Sequence, residues 1–198
     1  MKKALVILMI LAFLPAQSLW AQKFSLGVGT SAHVFLLHED NDISARFAPG
    51  ASLDFEVSFP FTQSFTLATG ASVSGVAGYH FAGRKDVNLG EIYVDLPLRA
   101  KLYIGLSDVV DLIFFTGPVF SVNVLSANVH GFSNMVNNYS TYPNLGRFDV
   151  MLGAGTGVEI NKHVRISLGF DYGLLDRNRS SQNWAHHGQL KLGAQYIF

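Results

Sequence analysis

The sequence predicts an all-β fold, a closed antiparallel barrel of eight strands that crosses a membrane. Three observations predict it. Apolar and polar residues alternate over stretches of roughly 9–14 residues, longer than ordinary globular strands and sufficient for a tilted crossing. The connections between those stretches alternate between short and long. The chain opens with an export address, yet no later run reaches about 18 apolar residues, so no transmembrane helix is available.

Lys2 and Lys3 form a positive start, 4–14 an apolar run, and Pro15 ends it before small residues that offer cleavage after Ala21 or Ser18. Roughly eleven apolar residues are too few for a spanning helix, which needs about 20. Residues 1–21 are therefore expected to be a signal peptide and 22–198 the barrel domain. The 198 residues suit one domain. Hydrophobic residues make up 49% and charged ones 14%, apolar for a soluble chain. A formal net charge of zero with no basic run excludes the footprint of a nucleic-acid binder. The absence of cysteine excludes disulfides, thiol catalysis, cysteine-ligated metals and a lipidated N-terminus.

The expected strands run in order 24–36, 51–59, 64–77, 91–104, 111–124, 148–160, 164–174 and 189–198. In the second, Leu53, Phe55, Val57 and Phe59 oppose Ser52, Asp54, Glu56 and Ser58. In the fourth, Ile92, Val94, Leu96, Leu98, Leu102 and Ile104 oppose Glu91, Tyr93, Asp95, Arg99 and Lys101. The sixth sets Phe148, Val150, Leu152, Val158 and Ile160 against Asp149, Gly153, Gly155, Gly157 and Glu159. In the seventh, Ile166, Leu168 and Phe170 oppose Arg165, Ser167 and Asp171, and in the eighth Leu190, Leu192, Ala194, Tyr196 and Phe198 oppose Gln189, Lys191 and Gln195. The first, third and fifth alternate less cleanly but carry the β-branched and aromatic content of strands.

Short connections fall near 60–63, 105–109 and 161–163; long ones cover 38–47, 78–88, 126–146 and 176–186. Outer-membrane barrels pair short periplasmic turns with long outside loops, and an even strand count puts both termini in the periplasm. Energetics fix the facing. With the alternation reversed, Arg99, Lys101, Arg165 and Lys191 would meet lipid at about 2–4 kcal/mol each near the midplane. An open edge would leave backbone groups unpaired in hydrocarbon, so the barrel must close. Asp54, Glu56, Glu91, Asp95, Asp149, Glu159 and Asp171 then share the interior with those four cations. Buried charges must pair or neutralise. An interior charge network follows, and about eight strands leave a lumen that side chains fill, with no water-filled pore.

Other motifs dissolve on inspection. Pro97 inside the fourth strand lacks a ladder donor and predicts a bulge or a bend in the wall. Gly153-Ala154-Gly155-Thr156-Gly157 lacks the spacing and following helix of a phosphate loop, as does Gly83-Arg84-Lys85, and inward glycines relieving crowding explain the former. His186 and His187 point to opposite faces and cannot share a metal. The acidic stretch His38-Glu39-Asp40-Asn41-Asp42 lacks the glycine and closing glutamate of a calcium loop. No G-x-S-x-G occurs, so no catalytic residue, metal or cofactor is assigned.

The stretch Glu91-Ile92-Tyr93-Val94-Asp95-Leu96-Pro97-Leu98-Arg99-Ala100-Lys101 resembles the Y-x-x-x-P-L-x-x-K strand of the PorT-like outer-membrane β-barrel family of Bacteroidetes. The stretch 148–159 resembles that family's glycine-rich sixth strand. The resemblance implies an eight-stranded barrel of the OmpX and OmpA size class in the outer membrane, and links the chain to a gliding and protein-secretion apparatus. Tyr196 and the terminal Phe198 resemble the aromatic signal by which barrel-assembly machinery recognises its clients. The expected partners are outer-membrane lipid, that machinery, and either a secretion apparatus or an extracellular partner.

Three functional readings remain: a structural or accessory barrel, a surface binder acting through its loops, and, discounted for want of a motif, a lipid-modifying enzyme. The longest connection, 126–146, is the candidate binding surface. It sets Asn128, Asn137 and Asn138 beside Phe132, Tyr139 and Tyr142, rigid aromatics among adaptable amides.

Overall fold

The computed structural model describes residues 22–39, 42–80, 88–129, 135–137, 146–177 and 184–198. Nine strands form in chain order: β1 (Lys23–Glu39), β2 (Asp42–Pro60), β3 (Phe65–His80), β4 (Asn88–Gly105), β5 (Val110–Val129), β6 (Met135–Asn137), β7 (Phe148–Ile160), β8 (Val164–Gly173) and β9 (Ala185–Ile197). Every pairing is antiparallel. The ring runs β1-β2-β3-β4-β5-β7-β8-β9 and closes where β9 pairs with β1, leaving β6 as a three-residue appendage on the end of β5. The barrel is therefore closed and eight-stranded.

Alternation sets the facing throughout. Leu26, Val28, Leu53, Leu96, Leu168 and Leu192 are exposed on the outer wall, where lipid would cover them. Ser25, Ser31, Ser52, Ser72, Glu91, Asp95, Arg99 and Gln189 are buried on the inner one. Most buried side chains are polar and the large exposed ones apolar, the reverse of a soluble core, with a small apolar cluster of Phe35, Ala48, Val76 and Tyr93 inside.

The walls are longer than the alternating stretches predict. The connection expected over 38–47 is mostly strand, because β1 reaches Glu39 and β2 starts at Asp42. The expected 126–146 connection likewise loses its first residues to β5, and β6 lies within it. These segments pair strand to strand beyond the alternating stretches. β5, with 20 residues at ~3.3 Å each and a tilt of ~40°, rises about 50 Å. β8, with 10 residues, rises about 25 Å, the height of the apolar band itself. Half of the rim thus stands well clear of the membrane.

The short turns 61–64, 106–109 and 161–163 lie at the same end as both termini, where Phe198 N–H donates to the Phe24 carbonyl at 2.8 Å. The tightest turn holds Asn161 at φ 51° and Lys162 at φ 60°. Positive φ at both central residues makes a primed hairpin turn, whose twist matches that of the strands.

Pro97 does not sit in a bulge. Register shifts fall between Ile92 and Tyr93 against β5 and between Val76 and Tyr79 against β3, while the same register holds on both sides of Pro97. The β3 ladder is interrupted opposite Leu96 and Pro97, so the missing donor falls in a gap. There Thr69 Oγ1 donates to the Pro97 carbonyl at 3.0 Å. The local distortion is carried across the way by Gly117 (φ 150°), where a Cβ would lie 2.1 Å from the Leu98 carbonyl oxygen.

Candidate functional site

The lumen is crossed by three tiers of side chains. The tier nearest the short turns centres on Glu56 of β2. It accepts from Lys101 Nζ at 2.6 Å and from Arg165 Nη1 at 2.7 Å. Arg165 reaches on to Glu159 Oε2 (3.0 Å), the Tyr103 hydroxyl (3.0 Å) and Gln195 (3.0 Å). Two carboxylates and two cations from four strands thus neutralise one another. The arrangement satisfies the guanidinium's fork geometry, the condition for burying such a group.

The middle tier pairs Arg99 with Asp171 and Lys191 with Asp95, the latter at 3.2 Å. Ser121 donates to Asp95 at 2.6 Å, and Arg99 Nη1 donates to the Gly117 carbonyl at 2.7 Å. Glycines make the room. A Cβ on Gly153 would lie 1.7 Å from Asp171 Oδ1, and one on Gly155 2.2 Å from Phe115 Cζ. Between these two tiers lies a cavity of about 110 Å³ lined by Asp54, Glu56, Asp95, Arg99, Lys101 and Lys191, among others. It has room for a few waters, not a channel.

The tier at the long-connection end is built from rings. His33 Nδ1 and His187 Nε2 are 2.8 Å apart, and His33 Nε2 meets Ser31 Oγ at 2.9 Å. Phe35 and Tyr93 stack on His187 with centroids 4.8 and 4.9 Å away. Arg177 enters from beyond the end of β8 and places Nη2 2.9 Å from Glu91 Oε1, while the Tyr93 hydroxyl donates to the same carboxylate.

All eleven residues expected inside, Asp54, Glu56, Glu91, Asp95, Arg99, Lys101, Asp149, Glu159, Arg165, Asp171 and Lys191, lie on inward-facing strand positions, and nine of them join ion pairs. Asp54 instead accepts from Ser52 at 2.9 Å, and Asp149 accepts the Leu175 N–H at 3.0 Å. Sequence reasoning placed Tyr93 on the inward face without giving it a role, and it missed Arg177 and His33. Alternation marks the faces of His33 and Tyr93, but nothing in the chain marks Arg177, which leaves a connection to enter the lumen. His187 faces inward and fully buried; His186 lies outside against Tyr172 and Trp184.

Of the candidate loop, Asn128 lies in β5 and Asn137 in β6, whereas Phe132, Asn138, Tyr139 and Tyr142 fall outside the described residues. So do residues 83–85 and 40–41. Among the described residues, no three histidine or carboxylate groups converge as a metal site would need. Tyr196 and Phe198 both point outward, in edge contact at 5.1 Å. With Phe24, Phe55, Phe61 and Phe65 they form an aromatic girdle at the short-turn end.

A family model described as "Outer membrane protein beta-barrel domain" matches residues 16–177. The chain belongs to this family. It is accordingly an outer-membrane protein, and in barrels of this kind the end that carries the short turns and both termini is expected to face the periplasm. No curated protein matches it in sequence. Solved structures similar to this barrel include the attachment invasion locus protein Ail of Yersinia pestis, 16% identical, covering 89% of this chain and 98% of its own with a TM-score of 0.44. Another is Neisserial surface protein A, at 13% identity, 87% and 97% coverage and a TM-score of 0.47. A third is OprG from Pseudomonas aeruginosa, at 11%, 89% and 95% with a TM-score of 0.47.

Proposed function

We propose that this outer-membrane barrel is a non-conducting, non-enzymatic platform with a structural or accessory role at the envelope. The observation that carries this reading is the lumen. Three tiers of paired or stacked side chains cross it, and the cavity between the first two is about 110 Å³. A solute path would require breaking buried ion pairs, each about 3–5 kcal/mol. Ser31, His33 and His187 have the connectivity of a nucleophile, base and orienting group. All three are buried, and Ser31 is not among the residues around that cavity, which supports the non-enzymatic reading.

The finer role is an accessory one in a PorT-like secretion apparatus, supported by the 91–101 strand motif and the tall outer rim on which a partner could be carried. A second reading, a ligand or adhesion binder acting through the same rim and the 126–146 connection, is favoured by the height of β1 to β5. Planar-bilayer recording tests the platform, and a large steady current overturns it. Deleting 129–143 separates the two roles. Loss of ligand binding with an unchanged set of copurifying envelope proteins selects the binder; loss of copurification selects the accessory role.

A further inference from the structure

Most lumenal cations hang from barrel strands. Arg99, Lys101, Arg165 and Lys191 are rooted in strands that pair with a neighbour on both sides. Arg177 differs, because it stands four residues beyond the last residue of β8, and its guanidinium drops into a pocket whose walls belong to other elements. Glu91 of β4, 1% exposed, takes both of its terminal nitrogens, at 2.9 and 3.3 Å. Phe35 of β1 and Tyr93 of β4 present their rings 5.7 and 5.5 Å from the guanidinium carbon. His187 of β9 stacks against both rings and holds them in place. A dry, bidentate carboxylate beside aromatic faces is the chemistry that selects a planar guanidinium over an ammonium.

The backbone around the occupant is fastened to the mouth as well. Arg177 N–H donates to the Ala185 carbonyl at 2.8 Å, and Gly146 N–H donates to the Arg177 carbonyl at 2.6 Å. Ala185 N–H donates to Asp176 Oδ1 at 2.8 Å. Main-chain bonds and the Asp176 carboxylate therefore tie residues 176–177 to Ala185 and Gly146, next to the guanidinium contact.

We propose that the outer end of the lumen is a guanidinium-binding site which the chain fills with its own Arg177, so that residues 174–177 are held as a latch by a contact that an arginine side chain or free arginine can take over. The site is a property of β1, β4 and β9, and Arg177 is its tethered ligand. Tethering gives the occupant an effective concentration in the millimolar range or above. Free guanidinium must therefore match or exceed that concentration to displace Arg177 from the wild type, whereas about 10 mM meets no tethered competitor once Arg177 is gone.

The test is chemical rescue on the full barrel folded in detergent. Arg177→Ala lowers the unfolding midpoint, and about 10 mM methylguanidinium restores roughly 2–4 °C of it. Methylammonium at the same concentration does not, and the Glu91→Gln/Arg177→Ala double variant shows no rescue. Equal responses to the two cations, or an equal rescue of the double variant, overturn the site. Should Arg177→Ala fail to fold, its refolding yield with each cation decides the matter by the same criterion. Takeover is read on the wild type by hydrogen exchange over 174–177, with free arginine in one arm and a Gly-Arg-Gly peptide in the other. Faster exchange in either arm supports the latch and names the source; no change in both up to about 100 mM overturns takeover.

Discussion

The two ends of the lumen are filled by different means. At the periplasmic end, Glu56, Lys101, Arg165 and Glu159 all come from strands, so the barrel register alone brings them together. At the outer end, among the described residues, the cation paired with Glu91 comes from a connection, and the rings of His33, Phe35, Tyr93 and His187 stack beside it. The first tier is part of the wall and is as rigid as the wall. The second is closed by a residue that a local rearrangement of the connection can withdraw. Function that involves movement belongs at the outer end, while the inner end supplies stability and the seal.

The largest expected effect is all-or-none and concerns which end is which. Single cysteines introduced for Asn137 and Asn178 should label in intact cells with a membrane-impermeant reagent, whereas those for Thr62 and Lys162 should not. The opposite pattern would invert the comparison.

Next comes the energetic contrast. Glu56→Ala strands Lys101 and Arg165 with Glu159 as their remaining carboxylate, and it should cost about 3–5 kcal/mol. Arg177→Ala should cost less, about 1.5–3 kcal/mol, because Glu91 keeps the Tyr93 hydroxyl. Urea unfolding of the two variants in lipid vesicles measures both, and equal losses would erase the distinction between wall and latch.

Smaller still is the cost of crowding the middle tier. Gly153→Ala places a methyl against Asp171 and displaces it from Arg99. A loss of about 1–3 kcal/mol is expected, read as a lower temperature for the heat-modifiable shift on gels. The smallest effect has the opposite sign. Lys162 holds φ 60°, a conformation costly for a residue with a Cβ. Lys162→Gly should gain about 0.5–1 kcal/mol, while Lys162→Ala stays within about ±0.5. A destabilised glycine variant would mean the turn is held by its lysine.

By itself the sequence determined the barrel character, the number of strands in the ring and the inward facing of eleven charged strand residues. Period-two alternation against lipid is enforced locally, residue by residue, wherever an apolar band covers one face. Asp54, Glu56, Arg99 and Lys101 could be placed inside on that ground alone. The Gly153, Gly155 and Gly157 positions could likewise be read as room for neighbours, and Asp171 and Phe115 occupy that room. Strand ends were not legible, since β1, β2 and β5 run on above the membrane, where neither face is apolar enough to impose a period. The site of the wall's irregularity was not legible either, because whether Pro97 needs a bulge depends on which residues of β3 happen to face it. Only the tertiary structure decided who pairs with whom. His33 meets His187 across 154 positions of sequence, and Arg177 reaches Glu91 across 86. Such meetings are set by the closure and stagger of the ring and by the path of one connection, and no local pattern in the chain encodes either.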